Sequence, residues 1–251
     1  MSLAVLGSEI PFKHPLANGR VKGKSLPREL RQLANALELQ RVAYEQSQFS
    51  KEVQRNFQAV SKHSDFPITR ILSLGLGSLL GSRDQTRRIK QLAILLAIHE
   101  HCSRLSGTAI ELYAQDPAFT RGDEAFLINL GFKILRTPSG TQLGQAGDIL
   151  SSSTLIYSPF LTIEVYEQLT RLNASLSIPI IVGDDFMALA KKWPKHSAEH
   201  KQVNDVMKLG LSKLRRRALA GDGFWMQEDE TFPMAMYESL SSRGTRIRAR
   251  I

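Results

Sequence analysis

The residues best suited to chemistry on a small ligand lie in the run Leu72-Ser73-Leu74-Gly75-Leu76-Gly77-Ser78-Leu79-Leu80-Gly81. Gly75 and Gly77 stand just after a short apolar β-type run and just before a helical pattern. Glycine there permits a tight turn and lets main-chain N–H groups face a phosphate, a carboxylate or a ribose. Ser78 completes the turn's share of the candidate site, and Arg83, Arg87 and Arg88 could add positive charge from the next helix. The spacing is not that of a dinucleotide fingerprint. Gly81 comes one position later than the third glycine of G-x-G-x-x-G, and the region where a ribose-binding carboxylate is expected reads Ile94-Leu95-Leu96. The first acidic residue after the second expected strand is Asp116, which could still reach the crevice. The competing reading of Gly75 and Gly77 is close packing of strand and helix with no ligand.

Further polar residues close other strands. Asp116-Pro117 follows the second, Ser158-Pro159 the fourth and Gly183-Asp184-Asp185 the fifth. In an open α/β sheet the carboxyl ends of the strands are where ligands bind. The candidate set is therefore Gly75, Gly77, Ser78, Asp116, Ser158, Gly183 and Asp184. Helix capping is an equally available role for Ser158, Asp184 and Asp185.

Other clusters have simpler explanations. His99 and Cys102 share a helix face from which His101 points away, so they form no ligand set. His196 and His200 stand four apart, but no Glu follows His196 as H-E-x-x-H requires. The sequence has no nucleophile elbow, P-loop lysine or kinase signature. No catalytic residue and no metal site are therefore assigned.

The elements that must carry these residues follow from hydrophobic period and turn chemistry. Residues 1–24 read as an irregular leader, and Pro27 to about Lys62 as one or two amphipathic helices ended by His63 to Pro67. Ile71–Leu74 is predicted as the first strand. A helix from Ser82 to about Arg104 follows, with Ser82 and Gln85 in capping-box spacing and apolar residues around most of its circumference. Ala109–Ala114 is the second strand, and Thr120 with Asp123 caps a short helix ending at Gly131. Phe132–Leu135, Thr154–Tyr157 and Ile178–Val182 are the third, fourth and fifth strands. A helix opens at Ser158-Pro159 and runs to about Asn173. Ser197–Leu219 reads as one basic amphipathic helix, Gly221-Asp222-Gly223 as a turn, and Thr245–Ile251 as an edge strand or a basic tail. The sum is an α/β, Rossmann-like, doubly wound and mostly parallel five-stranded sheet over 67–190, with a helical N-terminal extension (1–66) and a basic C-terminal extension (191–251).

Composition bounds the function. The only cysteine, Cys102, excludes an internal disulfide framework and fits a reducing compartment, cytoplasm or nucleus. The first thirty residues lack the apolar core of a signal peptide. The most apolar window, Leu92–Ile98, is too short to span a membrane. The net charge of +9 is uneven: residues 1–65 carry 10 basic and 6 acidic side chains, 66–190 carry 10 and 11, and 191–251 carry 13 and 7. A basic groove in the centre is thus not expected. Lys213, Arg215, Arg216, Arg217 and the tail arginines could instead touch phosphate backbones.

In order along the chain, Ile71–Ser78, Gln91-Leu92-Ala93, Tyr113–Phe119 with Asp116-Pro117, Tyr157-Ser158-Pro159 and Gly183-Asp184-Asp185-Phe186 resemble the SRR-like domain proteins. That family is named for a plant factor whose loss gives sensitivity to red light reduced. The resemblance implies a Rossmann-like fold and a link to circadian and light signalling in plants and to regulation of haem biosynthesis in other eukaryotes. It implies no particular reaction. Asp184 departs from the Asn often found after the fifth-strand glycine and adds negative charge there. The first expectation is a regulatory protein, with protein partners, that holds a nucleotide-like ligand in the glycine crevice. The alternatives are an enzyme using S-adenosylmethionine or NAD(P), and a scaffold binding nucleic acid or a partner through its basic end.

Overall fold

A computed structural model of the 251-residue chain describes residues 27–61, 67–81, 83–221, 223–226 and 233–239. The expected leader, the helix end at 63–66, the Ser82 cap, Asp222 and the arginine tail lie outside the described residues.

Two helices open the described chain, α1 (Arg28–Gln46) and α2 (Gln48–Ser61). Leu30, Leu33, Leu37 and Tyr44 repeat at three to seven residues and form the buried stripe of α1. Ser47 separates the helices, and its hydroxyl accepts the Ser50 N–H at the start of α2. Then come β1 (Arg70–Leu74), α3 (Gln85–Ser106), β2 (Glu111–Gln115), α4 (Arg121–Asn129), β3 (Phe132–Ile134) and the single turn α5 (Ala146–Ile149). β4 (Thr154–Ser158), α6 (Ile163–Leu176), β5 (Ile180–Asp184), α7 (Phe186–Lys192) and α8 (Ala198–Leu209) follow, and β6 (Leu214–Leu219) and β7 (Met234–Ser239) close the sheet.

The strand order is β3-β2-β1-β4-β5-β7-β6. The first five strands are parallel, and β7 runs antiparallel between β5 and β6. The architecture is the expected doubly wound α/β sheet, but it has seven strands rather than five. The two additional strands come from the basic end. There the expected helix over Ser197–Leu219 stops at Leu209, because Gly210 lies against Thr170 of α6, where a Cβ would meet Thr170 Cβ at 2.7 Å. Arg216 and Arg217 then take acidic partners on neighbouring elements, Asp185 and Glu238, which an extended chain can reach.

Two cores flank the sheet. α1, α2, α3 and α4 cover one face, and α6, α7 and α8 the other. Lying between the sheet and α1–α2, α3 is buried on nearly all sides, hence its apolar run from Leu92 to Ile98. The winding reverses between β1 and β4, so the carboxyl ends of these strands open a crevice at the switch point. Helix starts also differ from expectation there. α3 begins at Gln85 after Asp84, and α6 begins at Ile163, because Phe160 takes a left-handed φ of 64° that no helix accommodates.

Candidate functional site

Gly75 and Gly77 adopt φ values of 76° and 74°, a region closed to most side chains. Their surroundings explain the rest of the requirement. A Cβ on Gly75 would press on Leu161, and one on Gly77 would meet the Arg88 guanidinium at 2.6 Å. The turn is therefore built for close approach of protein groups as well as for any ligand.

Its main-chain amides are largely taken by two carboxylates. The Gly77 N–H donates to Asp116 Oδ2 at 2.8 Å, while Asp116 Oδ1 accepts the Ala118 N–H. Leu79 N–H and Leu80 N–H both donate to Asp123 Oδ1, and the Ser78 hydroxyl lies 2.8 Å from Asp123 Oδ2. Asp123 is fully buried and also completes the capping box with Thr120 at the start of α4. Ser78 thus faces α4. The sequence marks Asp123 only as a cap, and nothing in the spacing shows that the same carboxylate also ties down the glycine turn.

Beside the turn lies a cavity of about 340 Å³, near the lower end of the range for small-molecule sites. The β1 turn and Asp116 form its floor and one wall. Arg87, Arg88 and Gln91 of α3 form a second wall, residues 137–142 after β3 a third, and Phe160, Leu161 and Thr162 after β4 a fourth. Gln115 anchors the loop after β3, donating to Leu143 O and accepting the Ala146 N–H. Arg87 pairs with Asp84 at 2.9 Å and lies over the Phe160 ring, 5.0 Å from its centroid. Arg88 donates to Ser78 O at 2.7 Å. Of the seven candidate residues, Gly75, Gly77 and Asp116 line this cavity; Ser78, Ser158, Gly183 and Asp184 do not.

The last three meet behind the loop after β4, around Tyr166. Its hydroxyl donates to Ser158 O and accepts the Asp184 N–H, and the Ser158 hydroxyl lies 3.2 Å away. Position 183 must be glycine, because a Cβ would fall 2.3 Å from that hydroxyl. Both Asp184 carboxylate oxygens accept the Phe160 N–H at 3.1 Å and so hold the left-handed residue in place. Burial pushes the Asp184 carboxyl up to about 6, against the lowering effect of the bonds from Phe160, Tyr166 and Leu161. The neighbouring Asp185 caps α7 and forms a two-pronged pair with Arg216.

The other clusters are structural. His99 Nε2 lies 3.0 Å from Ile110 O, His200 contacts Asn204, and burial pushes the Cys102 thiol up to about 12. Among the described residues no three His, Cys, Asp or Glu side chains gather as a metal site, and no helix is long and apolar enough to cross a membrane. Arg217 pairs with Glu238 at 2.8 Å and Arg215 lies 3.4 Å from the same carboxylate, so part of the basic segment's charge is used within the sheet.

Several solved structures resemble the chain at low identity. Fibrillarin from Aeropyrum pernix with natively bound S-adenosyl-L-methionine is 13% identical, with 78% of this chain and 75% of that one covered and a TM-score of 0.41. The plantazolicin methyltransferase BpumL in complex with SAH is 12% identical over 83% and 90%, with a TM-score of 0.40. Cofactor-bound Rv0187 from MTB is 10% identical over 82% and 89%, with a TM-score of 0.41. No curated protein matches the sequence. The SRR1 domain profile matches residues 46–220, which run from the end of α1 to the residue after β6 and contain the whole cavity, and the chain belongs to the SRR1 domain family.

Proposed function

We propose that this SRR1-domain protein is a regulatory protein that holds an unphosphorylated nucleoside of the S-adenosylmethionine or S-adenosylhomocysteine type in the crevice between β1 and β4. The observation that carries the reading is Asp116. Its carboxylate stands at the tip of β2 on the cavity wall and already accepts the Gly77 amide. A carboxylate so placed accepts ribose hydroxyls through its remaining lone pairs. The same carboxylate repels a pyrophosphate and occupies an amide that a phosphate cradle needs, which favours an S-adenosyl ligand over a nicotinamide dinucleotide. Arg87 and Arg88 on the opposite wall suit a carboxylate at the other end of the molecule. The charged residues lining the cavity are Asp116 on one side and Arg87 and Arg88 on the other, which suits the holding of a ligand with a polar group at each end. Membership in the family supports a regulatory role, in light and circadian signalling or in control of haem biosynthesis, in the cytoplasm or nucleus.

A thermal-shift panel tests this. Ligand at about 100 times its Kd contributes about 2.7 kcal/mol, or roughly 5–10 °C in Tm for a chain of this size. S-adenosylhomocysteine is expected to give such a shift, with NAD and NADP giving none, and Asp116→Ala to remove it. Stabilisation by NADP but not by S-adenosylhomocysteine would end the reading.

A further inference from the structure

Gln91 is a buried polar residue of α3 whose side chain the fold does not use. It lies in the second turn of α3, is 2% exposed, and lines the cavity. Its main-chain carbonyl accepts the Tyr157 hydroxyl at 2.9 Å, which fixes this part of α3 against β4. Its side-chain amide makes no hydrogen bond among the described residues. A primary amide carries two donor hydrogens and an acceptor oxygen, which a molecule held in the cavity can use.

Arg87 and Arg88 stand four and three residues before Gln91, so all three share one face of α3, and all three line the same wall. Both guanidinium groups are held in position, Arg87 by Asp84 and the Phe160 ring, Arg88 by Ser78 O. The opposite wall carries the Asp116 carboxylate, and Leu74, Leu161 and Val165 contribute apolar surface to the lining. An anion is thus drawn to α3 and repelled from β2, with apolar side chains to accompany an aliphatic stem.

We infer that Gln91, Arg87 and Arg88 form a subsite for the zwitterionic α-amino-acid end of the bound nucleoside. Gln91 Oε1 accepts from the ammonium, Gln91 Nε2 donates to the carboxylate, and the two arginines neutralise it. Gln91 is then a specificity residue that separates ligands carrying the amino acid from nucleosides that lack it. The inference rests on the nucleoside reading of the cavity and adds to it which end of the molecule faces α3.

Calorimetric titration of the full chain with S-adenosylhomocysteine and with 5′-methylthioadenosine, which keeps the nucleoside and thioether but lacks the amino acid, decides the matter. Hydrogen bonds to charged groups correspond to about 10- to 100-fold in affinity. Wild type is expected to prefer S-adenosylhomocysteine by at least that factor, and Gln91→Leu to lower its affinity about tenfold while leaving 5′-methylthioadenosine within about threefold. Wild-type affinities equal for the two ligands would overturn the subsite while leaving the nucleoside reading intact. Equal losses for both ligands in Gln91→Leu would overturn the role of Gln91, because a merely packing residue behaves that way. Binding of neither ligand by wild type would remove the nucleoside reading and the subsite with it. The wild-type comparison stands even if the variant does not fold.

Discussion

Replacing Asp184 by Asn tests how the loop after β4 is held. The carboxyl is 6% exposed and lies among Tyr166 of α6, Tyr237 of β7 and the Phe160 and Leu161 amides, while the nearby Arg216 is engaged by Asp185. Its value rises from 3.8 to about 6 on folding, chiefly through burial. The folded state therefore holds the proton more tightly than the unfolded state, and stability is greatest below 3.8 and falls as pH rises through about 6. Integrated between pH 5 and 8, that loss is about 1–2 kcal/mol. Asn keeps an oxygen for the Phe160 N–H and cannot ionise. Urea unfolding of both proteins across this range should show the variant gaining about 1–2 kcal/mol on the wild type as pH rises, with most of the change below about pH 6 and little above about pH 7. A difference independent of pH would show that Asp184 does not titrate there and would refute the account of its burial.

Other consequences are open to direct measurement. Asp123→Ala leaves the Leu79 and Leu80 amides and the Thr120 cap without their acceptor, and denaturant titration should show a loss of at least about 3 kcal/mol. Gly77→Val forces a β-branched residue to φ 74° against Arg88, so urea unfolding should show a cost of about 1–3 kcal/mol and calorimetry a loss of S-adenosylhomocysteine binding. Phe160→Asn keeps a residue tolerant of the left-handed region but removes the ring over Arg87. It should therefore be close to wild type in Tm yet bind S-adenosylhomocysteine more weakly.

The parallel core of the fold was legible because its signals are local. Ile71–Leu74, Thr154–Tyr157 and Ile178–Val182 are short apolar runs with turn chemistry beside them, and Thr120 with Asp123 states its capping box outright. β6 and β7 were not legible. Leu214–Leu219 carries three arginines whose extended form depends on Asp185 and Glu238, partners distant in sequence, and a local pattern sees only a basic continuation of α8. The site divides in the same way. Gly75, Gly77 and Asp116 follow from strand-end logic and line one cavity. Ser158, Gly183 and Asp184 follow from the same logic, yet they converge on Tyr166, whose position on α6 no spacing reveals. Gln91 stood out only within the run Gln91-Leu92-Ala93 of the family resemblance, and its meaning depends on the cavity beside it. The expectation of open turn amides also needed the structure, because the carboxylates that occupy them come from β2 and α4.

The central claim is that Asp116 receives the sugar of an unphosphorylated nucleoside. A crystal structure of the chain grown with saturating S-adenosylhomocysteine tests it most directly. The account predicts a ribose whose hydroxyl oxygens lie about 2.5–3.0 Å from the Asp116 carboxylate, with the amino-acid end against α3. Density for the ligand elsewhere on the molecule, or an empty cavity beside Gly75 and Gly77, would contradict it.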